Sequence, residues 1–178
     1  RKVKTTAQRN TDSMMYISEL DLHAWATQVL IRVGVREEDA AHIARCLVAV
    51  DLRGVKSHGT RQLRRYVREF KDGQINTAPQ IGTLRESDNA IRLDGDGGAG
   101  YLVATQAVDA ACAKARSVGL ALASTCNHGH VGSAGIEAGC RVPADPQEHR
   151  VGSCFGRGCR QQGAGLPVPS WATTDPVL

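Results

Sequence analysis

The stretch "SHGT" places a titratable side chain, His58, where a helix is predicted to begin. If Ser57 or Thr60 caps that helix, the partial positive charge of its N-terminus disfavours imidazolium and keeps His58 neutral. A guanidinium fork one or two turns further on would bind a carboxylate bidentately, and the candidates are Arg61, Arg64 and Arg65. A proton acceptor beside a carboxylate anchor suits the oxidation of a 2-hydroxy acid. A capping turn followed by a solvated basic helix would explain the same residues without chemistry.

A second candidate site is the glycine-rich stretch "GDGGAG", in which Gly95, Gly97 and Gly100 spell G-x-G-x-x-G. In a Rossmann fold this pattern binds a dinucleotide pyrophosphate, and an acidic residue about 20 positions later holds the ribose hydroxyls. The stretch "GLALASTCN" has no acidic residue at that distance. The sequence therefore favours a glycine-rich turn that redirects the chain over a Rossmann phosphate loop.

A third candidate site is "NHGHVGSAG", which follows a predicted strand directly and holds two histidines, His128 and His130. Loops at strand ends often carry working polar groups, so catalysis is favoured, with an inert loop and a metal site as alternatives. Against a metal, no acidic residue near the two histidines has ligand-like spacing. Cys126 is the one further residue with ligand-like spacing.

Composition excludes several classes of protein. The 178 residues carry a net charge of +4, but the basic residues are scattered and little interleaved with aromatics, which argues against nucleic-acid binding. No apolar run approaches the roughly 20 residues of a membrane span, and no signal peptide is evident. The six cysteines form no CxxC pair, so a secreted disulfide scaffold is not expected. We expect a soluble, cytoplasmic protein.

Hydrophobic periodicity predicts the elements that must position these sites. Ser18 is expected to cap the helix "SELDLHAWATQVLIRVG". A second helix is "REEDAAHIARCLVAVDLRG", on which His42 is interpreted as a solvated surface residue, and a third spans about Thr60 to Lys71 with Leu63, Tyr66, Val67 and Phe70 on its core face. Short strands "IGTL" and "AIRLD", the helix "YLVATQAVDAACAKARSVG" and a buried strand "LALAST" follow. The predicted fold class is α/β, with a three-helix segment followed by a mixed α/β domain.

The same pattern divides the chain into four parts. Residues 1–17 are expected to be a disordered basic N-terminus, residues 18–75 a helical segment, and residues 76–136 a mixed α/β segment. Residues 137–178 hold five of the six prolines and three of the six cysteines and lose all periodicity, so an irregular tail is expected. A frame-shifted translation would produce such a tail, and a cysteine site at "GSCFGRGC" is the alternative.

Four stretches together resemble one family, that of the malate/L-lactate dehydrogenases, which includes ureidoglycolate, sulfolactate and diketogulonate enzymes. They are "DLRGVKSHGTRQLRRYV", "DGQIN", "LDGDGGAGYLVATQAVDAA" and "NHGHVGSAG", and the resemblance covers roughly Ser18 to Ile136. It implies an oxidoreductase that uses NAD or NADP on a 2-hydroxy or 2-oxo acid. It also implies a homodimer and a nucleotide-binding fold that is not Rossmann.

The resemblance assigns roles to particular residues. It makes His58 and His130 catalytic proton donors or acceptors, and it makes Ser57, Tyr66 and Asn127 substrate-binding. The family's arginine stands four residues after the first histidine, where this chain has Gln62. Arg61 lies one place early, a slip that rotates a helical side chain by about 100 degrees, and it is the candidate carboxylate anchor.

The cofactor-binding residues remain unknown from the sequence. Family members are about twice as long, and their nucleotide-binding residues come largely from the part that has no counterpart here, so the fold is expected to be incomplete. Three functions are compatible with the sequence. The first is a dehydrogenase, either active or inactive in this form; the second is a noncatalytic helical binding or dimerisation module; the third is a metal-dependent hydrolase using His58, His128 and His130.

Overall fold

The computed structural model describes residues 16–133. The predictions for a disordered N-terminus and for an irregular or frame-shifted tail, including the cysteine site, concern residues almost all of which lie outside this range. The described elements, in chain order, are α1 (Glu19–Ile31), α2 (Glu37–Leu52), a 3-10 turn (Thr60–Gln62), α3 (Leu63–Lys71), β1 (Gly82–Glu86), β2 (Ala90–Gly98), α4 (Gly100–Val118) and β3 (Leu122–His128). The prediction of a mixed α/β fold is confirmed. No described helix combines the length and apolar character that a membrane crossing requires.

The helices pack around one main core because each presents aliphatic or aromatic side chains on one face. Ser18 begins α1 as predicted, since its hydroxyl oxygen accepts the backbone N–H of Asp21 at 3.1 Å. Ile43, Leu47 and Val50 form the buried stripe of α2. The core also includes Leu30 of α1, three residues of α3 and Tyr101 of α4; those of α3 are Leu63, Tyr66 and Phe70. The N-terminus of α4 is thereby packed against the helical segment.

The start of the third helix differs from the prediction. Neither Ser57 nor Thr60 caps it with a side chain; Gly59 precedes a 3-10 turn, and α3 follows from Leu63. The capping acceptor is Asp51 near the end of α2, whose Oδ2 accepts the backbone N–H of Thr60 at 2.9 Å and its hydroxyl at 2.5 Å. A carboxylate can approach so closely because Gly59 has no side chain: a Cβ there would overlap Asp51.

The sheet has the order β1-β2-β3, in which β1 runs antiparallel to β2 and β3 runs parallel to it. Helix α4 covers one face, where Ile91 and Leu93 pack with Ala107. The prediction that the third strand is buried was wrong: exposure alternates along β3, and Leu122 is 67% exposed. The physical reason is that, among the described residues, α4 covers a single face of the sheet, so every second side chain of β3 faces outward.

Candidate active site

The two predicted catalytic histidines meet in space. His58 lies in the turn between α2 and the 3-10 turn, and His130 lies two residues after the end of β3. Their rings stack with centroids 5.7 Å apart and planes inclined by 26°. Both side chains are half-buried. A substrate atom lying against the exposed edge of this pair could therefore contact both imidazoles at once.

The turn that carries His58 is held from both sides. Ser57 Oγ lies 2.9 Å from His58 Nδ1, and the side-chain amide of Gln62 donates to the Ser57 carbonyl at 2.6 Å. On the other side the carboxylate of Asp51 holds Thr60, two residues after His58. Ser57, predicted to bind substrate, thus contacts the catalytic candidate itself, and its hydroxyl fixes the orientation of the imidazole.

The position of the proton on His130 follows from its hydrogen bonds. The backbone N–H of Gly132 donates to His130 Nδ1 at 2.9 Å, so this nitrogen must offer a lone pair. The neutral ring then carries its hydrogen on Nε2. Burial lowers the pKa of His130, and the nearby charges of Arg65 and His58 lower it further, against a smaller raising effect of Glu69. His130 is therefore a neutral hydrogen-bond donor at physiological pH.

Glycines of two sequence motifs allow residues 129–132, the histidine loop, to pack closely on the end of β2 and the start of α4. The backbone N–H of Gly129 donates to the carbonyl of Gly98 at 2.8 Å. A Cβ on Gly100 would lie 2.5 Å from the carbonyl oxygen of Gly129 and 2.6 Å from the backbone of His130. Gly132 has a φ of +76°, which favours glycine, and lies directly against the ring of Tyr101. These contacts fix the distance between the backbone of His130 and the start of α4.

Two buried tyrosines form the floor beneath His130. Tyr66 Oη donates to Tyr101 Oη at 3.2 Å and lies 3.4 Å from His130 Nδ1, while the two phenol rings meet edge to face. Burial raises the pKa of both phenols, so both stay protonated. The guanidinium carbon of Arg65 lies 5.4 Å from the ring centroid of Tyr66, and Arg65 Nε bonds Glu69 Oε1 at 2.7 Å.

Tyr101 was not assigned to the site from the sequence, and Arg65 was one of three candidate carboxylate anchors, of which Arg61 was preferred. For Tyr101 a usable signal existed, because only three tyrosines occur in the chain and a tyrosine inside an apolar helix needs a polar partner for its hydroxyl. For Arg65 the sequence offered Glu69 four residues later as an ion-pair partner, but it did not place Arg65 and Tyr66 near His130.

The remaining predicted site residues are Arg61 and Asn127, and in the described part of the chain no hydrogen bond or ion pair joins either side chain to the histidine pair. Arg61 is exposed in the 3-10 turn. Asn127 has a φ of +51° and donates its side-chain N–H to Asp94 Oδ1 at 2.8 Å, which directs it to β2. Asp94 also accepts the backbone N–H of Asp96, and this bond, followed by that of Asn127, lowers the pKa of Asp94.

The other two histidines considered from the sequence have local partners. His128 Nε2 lies 2.8 Å from Thr125 Oγ1, and its Nδ1 lies 2.8 Å from the Gly129 carbonyl oxygen. Within residues 16–133, no three His, Cys, Asp or Glu side chains cluster as metal ligands would, so the hydrolase alternative gains no geometric support. The interpretation of His42 as a solvated surface residue was wrong: it is half-buried, with Nε2 2.9 Å from Thr105 Oγ1, because α2 packs against α4 there.

The glycine-rich stretch does not fit a dinucleotide phosphate. Gly95 lies against His128 and Asn127, and Gly98 lies against Pro79, so the space that a phosphate cradle needs is filled by the chain itself. β2 continues through this stretch to Gly98, with irregular pairing to β3 between Asp94 and Gly98. The predicted glycine-rich turn is thus an irregular strand end, and we assign no cofactor contact to it.

Comparison with known proteins identifies the family. A family model described as malate/L-lactate dehydrogenase matches residues 17–142, so the chain belongs to this family, and the resemblance seen in the sequence is confirmed. Malate dehydrogenase of Pyrococcus abyssi is 38% identical over 127 residues, which are 71% of this chain and 35% of the relative. L-sulfolactate dehydrogenase of Methanocaldococcus jannaschii is 40% identical over 107 residues, 60% of this chain and 31% of the relative.

A solved structure agrees. Malate dehydrogenase from Pyrococcus horikoshii OT3 superposes with a TM-score of 0.69 at 36% identity, covering 71% of this chain and 36% of that chain. The matched part thus spans about a third of the length of these relatives. The similarity fixes the family and the local fold of the described residues.

Proposed function

We propose that this protein is an oxidoreductase that transfers a hydride between NAD or NADP and a 2-hydroxy or 2-oxo acid. The observation that carries the proposal is the stacking of His58 on His130 at 5.7 Å, since distant segments of the chain must fold together to make it. Family membership supports it, because the matching relatives carry the names malate, sulfolactate and hydroxycarboxylate dehydrogenase. Oxidation of such an acid needs a group to take the hydroxyl proton and a donor to the developing carbonyl oxygen.

The hydrogen bonds of the two imidazoles suggest a different role for each. His130 holds its hydrogen on Nε2, because Nδ1 accepts the N–H of Gly132, and it would donate that hydrogen to the substrate oxygen. His58 can turn Nδ1–H toward Ser57 Oγ at 2.9 Å, which leaves the lone pair of Nε2 free. In this proposal His58 Nε2 accepts the hydroxyl proton while His130 stabilises the oxygen that loses it.

NAD or NADP would supply the hydride acceptor, and the described residues offer no phosphate cradle for it at the glycine-rich stretch. Ser57 would orient His58, and Tyr66 would support His130 from below. We also propose, from the family resemblance, that the protein acts as a homodimer in the cytoplasm, which light scattering after size-exclusion chromatography and fractionation of its native cells would test.

Two pairs of variants test the proposed division of labour. His130→Asn keeps an N–H donor, whereas His130→Ala removes it; we expect the asparagine variant to retain more oxidation of L-malate or another accepted 2-hydroxy acid. His58→Asn and His58→Ala should both lose about 100-fold or more, because neither has a proton acceptor. Equal losses of activity in the two His130 variants, together with residual activity in His58→Asn, would instead make His130 the proton acceptor and His58 the hydrogen-bond donor.

A further inference from the structure

The position at which the family carries its carboxylate-binding arginine is neutral in this chain. Gln62 stands there, and its side-chain amide donates to the carbonyl of Ser57 at 2.6 Å. Its function in the structure is therefore to hold the His58 turn. Arg61, one residue earlier, is exposed. Gln62 supplies no positive charge for a substrate carboxylate, and no hydrogen bond or ion pair among the described residues directs Arg61 toward the histidine pair.

Arg65 has the placement that a cation for this carboxylate requires. Arg65 lies three residues after Gln62, and Tyr66 lies four residues after Gln62. On a helix, both positions neighbour that of Gln62. The guanidinium carbon of Arg65 lies 5.4 Å from the centroid of the Tyr66 ring, and the hydroxyl of that ring lies 3.4 Å from His130 Nδ1. The positive charge thus stands beside the histidine pair, and it contributes, after burial, to the lowered pKa of His130.

The contacts of Arg65 leave its binding fork open. Glu69 Oε1 accepts from Nε at 2.7 Å, and this i,i+4 pair orients the side chain. Among residues 16–133, no side chain or carbonyl accepts a hydrogen bond from Nη1 or Nη2 of Arg65. A carboxylate binds bidentately to two parallel guanidinium N–H groups. With respect to residues 16–133, both Nη atoms of Arg65 are available for such a pair.

We propose that Arg65, held by Glu69 and by the ring of Tyr66, binds the carboxylate of the substrate in place of the arginine that Gln62 replaces. This inference rests on the proposed function for the identity of the ligand. In this proposal Arg65 takes the role of carboxylate anchor that the sequence suggested for Arg61. The ligand class is a short carboxylate that bears an oxygen on the neighbouring carbon, so that one end contacts Arg65 while the oxygen contacts the histidines.

Oxalate, a planar probe with this arrangement of oxygens, tests the inference without turnover. Calorimetric titration of the 178-residue chain should show binding, and His58 and His130 ring resonances should shift on addition. We expect Arg65→Gln to weaken binding about 10- to 100-fold, the range for loss of charge-assisted hydrogen bonds. Arg65→Lys should fall between, since it keeps the charge without the fork.

Matched controls separate charge at the site from charge in general. Arg61→Gln removes the same charge four residues away and should leave affinity within about twofold. Glu69→Gln breaks the ion pair but keeps the cation, so binding should persist, and a thermal melt of each variant shows that it is folded. If Arg65→Gln does not fold, Arg65→Lys and Glu69→Gln carry the test.

The outcomes distinguish this inference from the proposed function. Unchanged oxalate affinity in Arg65→Gln, a loss in Arg61→Gln instead, or no oxalate binding by the folded unmodified chain would overturn the role of Arg65. Hydride transfer with an unchanged KM in Arg65→Gln would overturn it as well while leaving the function standing. Arg65-dependent oxalate binding without any hydride transfer would support the carboxylate site and count against the dehydrogenase.

Discussion

Replacing Gly100 by alanine should separate the geometry of the histidine pair from the stability of the fold. The added Cβ would lie 2.5 Å from the Gly129 carbonyl oxygen and 2.6 Å from backbone atoms of His130. Real Cβ atoms essentially never come closer than 3.0 Å, and ordinary contact begins at 3.4 Å. The loop must therefore recede by about 0.5–0.9 Å, since backbone atoms cannot rotate away as a side chain would. A misplacement of about 1 Å at a reacting group can cost on the order of 100-fold in rate. We therefore expect a loss of about 10- to 100-fold in kcat/KM.

We expect Gly100→Ala to have a smaller effect on the free energy of unfolding than on kcat/KM. Alanine favours a helix interior by up to about 1 kcal/mol relative to glycine, and at Gly100, the first residue of α4, a smaller part of that difference offsets the strain of moving the loop. The assay is a nuclear Overhauser measurement between the rings of His58 and His130, combined with urea unfolding and with kinetics on an accepted 2-hydroxy acid. Gly82→Ala is the matched control, because a Cβ there has open space. An unchanged ring contact and rate in Gly100→Ala would refute the argument that this glycine sets the position of His130.

Three further predictions concern stability. Asp51→Ala should cost about 1–2 kcal/mol in the free energy of unfolding, since it removes the acceptor of two Thr60 hydrogen bonds; urea titration measures this, and no change would exclude Asp51 as the cap. The pKa of His130 is lower in the folded chain than its ordinary value of 6.5. Below pH 6.5 the unfolded chain therefore binds more protons at His130, and the free energy of unfolding should fall as the pH drops toward the folded pKa. Thermal melts across pH should show a shallower fall in His130→Gln, and an identical fall in both proteins would contradict the lowered pKa of His130. Leu47→Ala should cost about 2–5 kcal/mol because Leu47 is fully buried, whereas Leu122→Ala on the exposed side of β3 should change stability by under about 0.5 kcal/mol; equal effects would contradict the placement of the core.

Local signals were sufficient for most of the elements. The Ser18 cap and the apolar stripe through Ile43, Leu47 and Val50 depend on neighbours along the chain, and both are present as predicted. The strand "AIRLD" is part of β2. Family motifs indicated His58 and His130, and the structure brings their rings together.

The features that could not be predicted all depend on contacts between distant segments. Asp51 was not predicted as the cap of the 3-10 turn, because the neighbouring Ser57 and Thr60 are equally good capping residues by type. The exposure of β3 depends on which faces of the sheet α4 covers, and the strand's own residues do not report it. Arg65 differs from Arg61 in standing beside Tyr66, and only the fold brings the hydroxyl of Tyr66 to within 3.4 Å of His130 Nδ1.

The role of the glycine-rich stretch also depends on contacts between distant segments. Gly95 and Gly100 match a phosphate-binding spacing, yet the space beside each is filled by other parts of the chain. Atoms of Asn127 and His128 lie beside Gly95, and backbone atoms of Gly129 and His130 lie beside Gly100. Glycine is needed there because two segments of the chain approach closely. A spacing pattern alone does not reveal whether the space around a glycine is filled by a ligand or by the chain itself.

The most direct test of the proposed function follows deuterium from substrate to cofactor. L-malate, L-lactate and ureidoglycolate, each deuterated at the carbon that bears the hydroxyl, would be incubated with the 178-residue chain and NAD or NADP, and the nicotinamide product analysed by mass spectrometry. The proposal predicts that at least one acid delivers deuterium to the reduced cofactor and that the His58→Ala, His130→Ala double variant delivers none. Absence of deuterium transfer by a chain whose His58 and His130 rings are shown by NMR to be in contact would contradict it.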